Sequence, residues 1–109
     1  MSEKAVLVFD ETMTSYNFGP SHPMAPVRID LTISLARELG ILDDMNVVGA
    51  DAATEDDLNL IHSAEYIEKV HKLSDNPTHG DPSIGLGTAD NPVFAQMHEA
   101  SALAAGASV

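Results

Sequence analysis

The chain contains no cysteine at all, which excludes disulfide staples and thiolate chemistry and leaves His, Asp and Glu as the side chains able to hold a metal ion. Basic residues are scarce too: 5 stand against 17 acidic ones, for a net charge of −12 with histidine neutral. That balance disfavours nucleic acid and anionic membranes as direct partners, because no basic patch can be assembled. It suits cationic partners, but Asp43, Asp44, Asp51, Glu55, Asp56 and Asp57 are spread along the chain, a solubilising pattern before a steering one. No apolar run approaches the ~20 residues that span a bilayer. The N-terminus has no basic stretch followed by an apolar one, so a soluble cytoplasmic protein is expected. Internal repeats are absent, and the alanine-rich end is the one low-complexity stretch.

What is present reads as α/β. The 109 residues make one domain's worth of chain, able to bury roughly two-thirds of the unfolded surface. Ala5-Val6-Leu7-Val8-Phe9 predicts a short strand buried on both faces. A largely buried helix is predicted from about Pro26 to Leu39, apolar nearly all round and stopped by Gly40. Asn46 to Ala50 predicts a second strand, parallel to the first in a right-handed βαβ unit. Thr54-Glu55-Asp56-Asp57 carries a capping box for a short helix, and Ser63 caps the next, whose face is Ile67, Val70 and Leu73. Ser74 to Pro92 is a long connection rich in proline, glycine and aspartate. A last helix is expected from Val93 to the end, with a small-residue surface at 100–109 that nothing in the chain is placed to cover. Two strands with several helices make an incomplete layer structure.

Two stretches carry candidate chemistry. Gly19-Pro20-Ser21-His22-Pro23-Met24-Ala25-Pro26-Val27-Arg28-Ile29 packs three prolines, a histidine and an arginine into a helix entrance. The prolines make this an ordered loop, and Pro26 suits the first helical turn. Arg28 is expected to enter the interior within a turn of that loop, where a guanidinium needs acceptors. The second stretch is Gly85-Leu86-Gly87-Thr88-Ala89-Asp90-Asn91-Pro92-Val93-Phe94, followed by Met97, His98 and Glu99.

Other patterns fail. No histidine pair has the spacing of a helical metal motif: His62 and His71 are nine apart, and His22, His79 and His98 lie elsewhere. His22 and His98 are expected to be hydrogen-bonded structural histidines. Asp75 to Leu86 has the glycine of a calcium loop but puts Pro77, His79 and Leu86 where oxygen ligands belong. Gly80, Gly85 and Gly87 lack dinucleotide or phosphate-loop spacing and read as turn residues.

Taken in order, residues 19–29, Ile61 to Val70 and residues 85–101 resemble the N-terminal part of the histone deacetylase family, most of all its bacterial acetoin-utilisation type, over about Val6 to Val109. The resemblance implies a three-layer α/β/α domain of the arginase/deacetylase kind with a mainly parallel central sheet. Residues 1–109 would be the N-terminal portion of that single domain, truncated before the zinc ligands. It implies zinc-dependent hydrolysis of N-acetyl-lysine amides to lysine and acetate, on an acetylated protein or small molecule.

Zinc chemistry needs a metal with an open position, a base and an oxyanion stabiliser. The family's Asp-x-His pair and adjacent histidines do not occur in this chain, so no catalytic or metal residue is assigned here and the chain alone is expected to be inactive. Two residues carry over. Asp90 matches the rim aspartate that accepts backbone N–H groups of the bound acyl-lysine, the alternative being that Asp90 or Asn91 caps the last helix. Arg28 matches the arginine of the internal cavity beneath the pocket, an acetate attractor, the alternative being a structural arginine on backbone carbonyls. Ala89 departs from the tyrosine that many eukaryotic relatives carry before the rim aspartate. Two rival functions stand beside this one: an acetylpolyamine amidohydrolase, and a non-catalytic acidic interaction module.

Overall fold

The two short apolar runs near the N-terminus pair as strands: β1 (Ala5–Val8) lies parallel to β2 (Met45–Val48), with Ala5 opposite Met45 and Val8 opposite Val48. This is a computed structural model, and it describes residues 4–77 and 80–109; His79 lies outside them. Between the strands runs α1 (Val27–Glu38), and after β2 come α2 (Glu55–Leu58), α3 (Ala64–Asp75) and α4 (Met97–Gly106). Short 3₁₀ turns at Glu11–Thr14, Ile41–Asp44 and Pro82–Ile84 join them.

The helix ends follow local chemistry. Pro26 stands at the N-cap of α1 with φ −64°, and Gly40 closes the far end at φ 75°. Thr54 and Asp57 exchange both bonds of the capping box on α2, and the Ser63 hydroxyl accepts the Tyr66 N–H at the start of α3. β2 stops at Val48 rather than Ala50 for a comparable reason. The Val48 carbonyl accepts Phe9 N–H at 2.8 Å, and the Ala50 N–H turns away to the Asp10 carboxylate at 3.1 Å. Bonds from the Thr12 hydroxyl and then the Ala50 N–H hold the Asp10 carboxyl below its ordinary value.

The expected burial is not found. α1 has no buried residue: Ile29, Ile33 and Ala36 are half-buried on one face, while Leu31, Leu35 and Leu39 form an exposed stripe at 61–66 %. β1 and β2 are open as well, with Val6 at 61 % and Val47 at 47 %. Two strands cannot make a sheet that a helix covers on both faces. The accessible surface is 7577 Å², against about 5,800 Å² for a closed monomer of this mass. The radius of gyration is 16.1 Å, where a closed domain of this length has about 13 Å.

The most buried apolar side chains lie elsewhere: Ile67 of α3, Leu86, Met97 and Ala102 all border one cavity. α4 begins at Met97 rather than Val93 because Gln96 takes a left-handed φ of 64° and gives its N–H to the Ser74 carbonyl at the end of α3. Its small residues are covered in part, in contrast to the expectation: Ser101, Ala104 and Ala105 stay exposed, while Ala102 is buried and Gly106 half-buried. The segment 51–53 lies against them, with Ala53 N–H donating to the Ala102 carbonyl at 2.8 Å. At Gly106 a Cβ would collide with the Asp51 carbonyl oxygen and come within 2.7 Å of Ala53 N. Close approach of two backbones is what the small residues make possible.

Gly106→Ala in the full-length protein is therefore expected to cost roughly 1–3 kcal/mol by overpacking. Thermal unfolding checks it, and an unchanged melting temperature would show that 51–53 yields to the added methyl.

Candidate functional site

The proline loop and the glycine-rich loop come together although 68 residues separate their key positions. Within the first loop, Gly19 takes φ 103°, its N–H donates to the Asn17 side chain, and its carbonyl accepts His22 N–H. The second loop is closed by Asn91. Its side-chain amide donates to the Gly85 carbonyl at 2.8 Å, its own carbonyl accepts Gly87 N–H at 2.9 Å, and its N–H reaches the Thr88 hydroxyl. Buried Leu86 anchors that loop to α3 and α4.

His22 joins the two. Its Nδ1 accepts the Met24 N–H at 3.1 Å, so Nδ1 bears no proton; Nε2 then carries it and donates to the Asp90 carbonyl at 2.9 Å. The expectation of a hydrogen-bonded structural histidine holds here. Phe18 lies against the His22 ring at 4.6 Å and stands edge-on to Phe94 at 5.4 Å. Tyr16 packs on Phe18 at 5.4 Å, and its hydroxyl accepts from Arg28 Nη2 at 3.3 Å. Arg28 and Asp90 are thus the two ends of one chain of contacts running through Tyr16, Phe18 and His22.

Arg28 is exposed rather than buried. Its Nε donates to the Ala25 carbonyl at 3.2 Å, the backbone pairing expected of a structural arginine, while Tyr16 takes one end of the guanidinium. Asp90 is exposed on a cleft of about 290 Å³ lined by Phe18, Pro20, His22, Pro23 and Ala89. Among the described residues nothing hydrogen-bonds its carboxylate. Neither Asp90 nor Asn91 caps α4, because Gln96 holds the N-cap place.

The cap of α4 comes from another helix. The Ser74 hydroxyl, 3 % exposed, accepts His98 N–H at 3.2 Å and donates to Glu99 at 3.1 Å. Beside it the rings of His71 and His98 stack at 3.5 Å, and His71 Nε2 lies 3.4 Å from Glu55 on α2. Burial first, and then the neighbouring His71, pushes His98 below its ordinary 6.5. A more apolar cavity of about 260 Å³, lined among others by Tyr66, Ile67, Phe94 and Met97, opens between α3 and α4 next to this stack.

These residues do not fit a catalytic zinc. Among the described residues no three His, Asp or Glu side chains converge as metal ligands.

Tyr16 and Phe18, the contact of Phe18 with Phe94, and the pairing of His71 with His98 do not stand out as site features in the sequence. A signal for the aromatics exists: three of the five in the chain sit in or beside the two motif stretches. For the histidine pair there is none, since the two lie 27 positions apart on different helices.

The histone deacetylase domain family matches residues 22–109. The matched residues run from His22, which locks the proline loop onto the glycine-rich loop, through α4, and the chain belongs to the histone deacetylase family. Within it the chain is an AcuC-like N-terminal segment: it is 36% identical over 104 residues to "Acetoin utilization protein AcuC" of Bacillus subtilis, covering 94% of this chain and 27% of that protein. The corresponding protein of Staphylococcus xylosus is 32% identical over 111 residues, covering 97% and 28%. "Histone deacetylase clr6" of Schizosaccharomyces pombe is 29% identical over 110 residues, covering 98% and 27%. The chain spans about a quarter of the length of these relatives. No helix among the described residues is long and apolar enough to cross a membrane.

The lowered His98 value predicts a sign. The neutral ring is favoured in the folded chain, so the unfolded chain binds more protons between the lowered value and 6.5. Stability contributed here is full above about 6.5 and falls as pH drops through that window. In an NMR titration His98 is expected to titrate below 6.5, and His71→Ala is expected to raise it. A His98 that titrates at or above 6.5 would count against the packing of its neutral ring beside His71.

Proposed function

We propose that this chain forms the N-terminal part of a zinc-dependent deacetylase that hydrolyses N-acetyl-lysine amides to lysine and acetate. Water's oxygen ends on the acetate, and the amide nitrogen leaves as the lysine amine. The zinc ligands, the acid/base histidines and the oxyanion tyrosine belong, on this reading, to sequence outside these 109 residues, in a complete three-layer α/β/α domain. The present residues supply the rim and its support.

The observation that carries this reading is the position of Asp90. Its carboxylate is exposed on the cleft between the two family motifs, and no other group among the described residues claims it. A carboxylate in that state can accept two backbone N–H groups of an extended substrate and fix its direction. Ala89 beside it adds no bulk, which leaves the rim open to the residues flanking the acetylated lysine. Arg28 we read as the cavity arginine that attracts the departing acetate. Tyr16 holds one end of the guanidinium and Ala25 its Nε, which orients the remaining N–H donors.

In the full-length protein, Asp90→Ala is expected to lower kcat/KM for an acetyl-lysine peptide about tenfold to a hundredfold through KM, the size of losing one or two charge-assisted hydrogen bonds. Preferential turnover of an acetylpolyamine would move the assignment to small amines, and no turnover of either would favour a binding module. Arg28→Ala is expected to lower kcat more than it changes KM. An unaltered kcat would leave Arg28 as the structural partner of Tyr16 and Ala25.

A further inference from the structure

We propose that His22 is a positioning residue for the substrate-binding rim: as the neutral Nε2–H imidazole it clamps the Asp90 peptide and so sets where the Asp90 carboxylate stands. The inference rests on the reading of Asp90 given above and goes beyond it by assigning the residue that aims it.

Three observations meet at this ring. First, the loop 85–91 is tied together through Asn91, which bonds Gly85, Gly87 and Thr88, but the arc 89–90 is not held from within the loop. Among the described residues, the single hydrogen bond that reaches this arc from outside the loop is the one from His22 to the Asp90 carbonyl. Fixing that carbonyl fixes the peptide plane from which the neighbouring Asp90 side chain departs. Second, the ring is held from its other side, since Met24 N–H points at Nδ1. A neutral imidazole both donates and accepts from opposite sides of one rigid ring, and no aliphatic or acidic side chain does so. Third, Phe18 packs against the ring and is itself braced edge-on by Phe94, just before α4. Prolines at 20 and 23 on either side stiffen the backbone that presents the ring. The clamp therefore transmits the position of the well-packed α3 and α4 pair to an otherwise unsupported arc.

Two measurements on the full-length protein test this. Long-range 1H–15N spectra are expected to show His22 in the Nε2–H tautomer with a bare Nδ1. The Nδ1–H tautomer, or a ring exchanging between the two, would overturn the clamp whatever the enzyme does. In kinetics with an acetyl-lysine peptide, His22→Ala is expected to raise KM about threefold to tenfold, the size of one neutral hydrogen bond, with kcat unchanged. On an Asp90→Ala background the same change is expected to add nothing, because a clamp has no effect once the carboxylate it aims is gone. His22→Gln, which keeps a donor that can reach the carbonyl, is expected to recover most of the loss; a Gln variant as poor as the Ala variant would count against the hydrogen bond. Equal effects of His22→Ala with and without Asp90 would show a general structural role and overturn the proposal. Should His22→Ala fail to fold, the tautomer and the Gln variant decide. Asp90→Ala with unaltered KM would sink the reading of Asp90 and the role of His22 with it, whereas an effect at Asp90 without one at His22 would sink the role of His22 alone.

Discussion

The contact of the Phe18 and His22 pair with the loop 85–91 is what makes one site out of two distant stretches of chain. Every residue with a proposed role on the rim depends on it. Phe18 stands on Phe94, His22 bonds the Asp90 carbonyl, and Tyr16 carries the same stack back to Arg28. The energy of each contact is modest, of the order of 1 kcal/mol for an aromatic pair or a neutral hydrogen bond. Their effect comes from being in series on rigid supports. Prolines restrict one loop, and Asn91 closes the other.

Support for that series comes from α3 and α4, where the four buried apolar side chains gather. Ser74 has a part in this that no local rule describes: buried on α3, it satisfies an N-terminal donor of α4 that Gln96 leaves without a side-chain cap. The same helix end brings His98 against His71. The other half of the chain is built differently. α1 and the two strands keep an apolar stripe and both sheet faces in water, since a pair of strands and one helix bury too little of each other. These unpartnered faces agree with the incomplete layer structure that the order of elements implies, and with a chain spanning about a quarter of its relatives' length.

How far the sequence reaches depends on the range of the interaction. Helix ends were legible because capping is local: Thr54 with Asp57, Ser63 with Tyr66 and Gly40 after α1 all act within four residues. The parallel pairing of β1 with β2 was legible from the intervening helix. Strand and helix limits shifted wherever a distant group took a backbone bond, as Asp10 does at Ala50 and Ser74 at Gln96. Burial was the least legible. Apolar residues all round a helix state that it needs cover, not that cover is present, and so Arg28 and Leu31 stand exposed where an interior was expected.

Composition and ordered motifs alone identify the family and exclude thiolate chemistry, because those are properties of residue types and their order, and Arg28 and Asp90 enter as candidates through the resemblance those motifs carry. Tertiary structure alone decided which partners these residues have. The bond from His22 to the Asp90 carbonyl, the tyrosine on Arg28 and the packing of residues 51–53 on α4 all arise from groups 12 to 68 positions apart. Hydrogen bonds and ring contacts act over a few ångströms in space, and no periodicity in the chain encodes which distant atoms the fold brings within that reach.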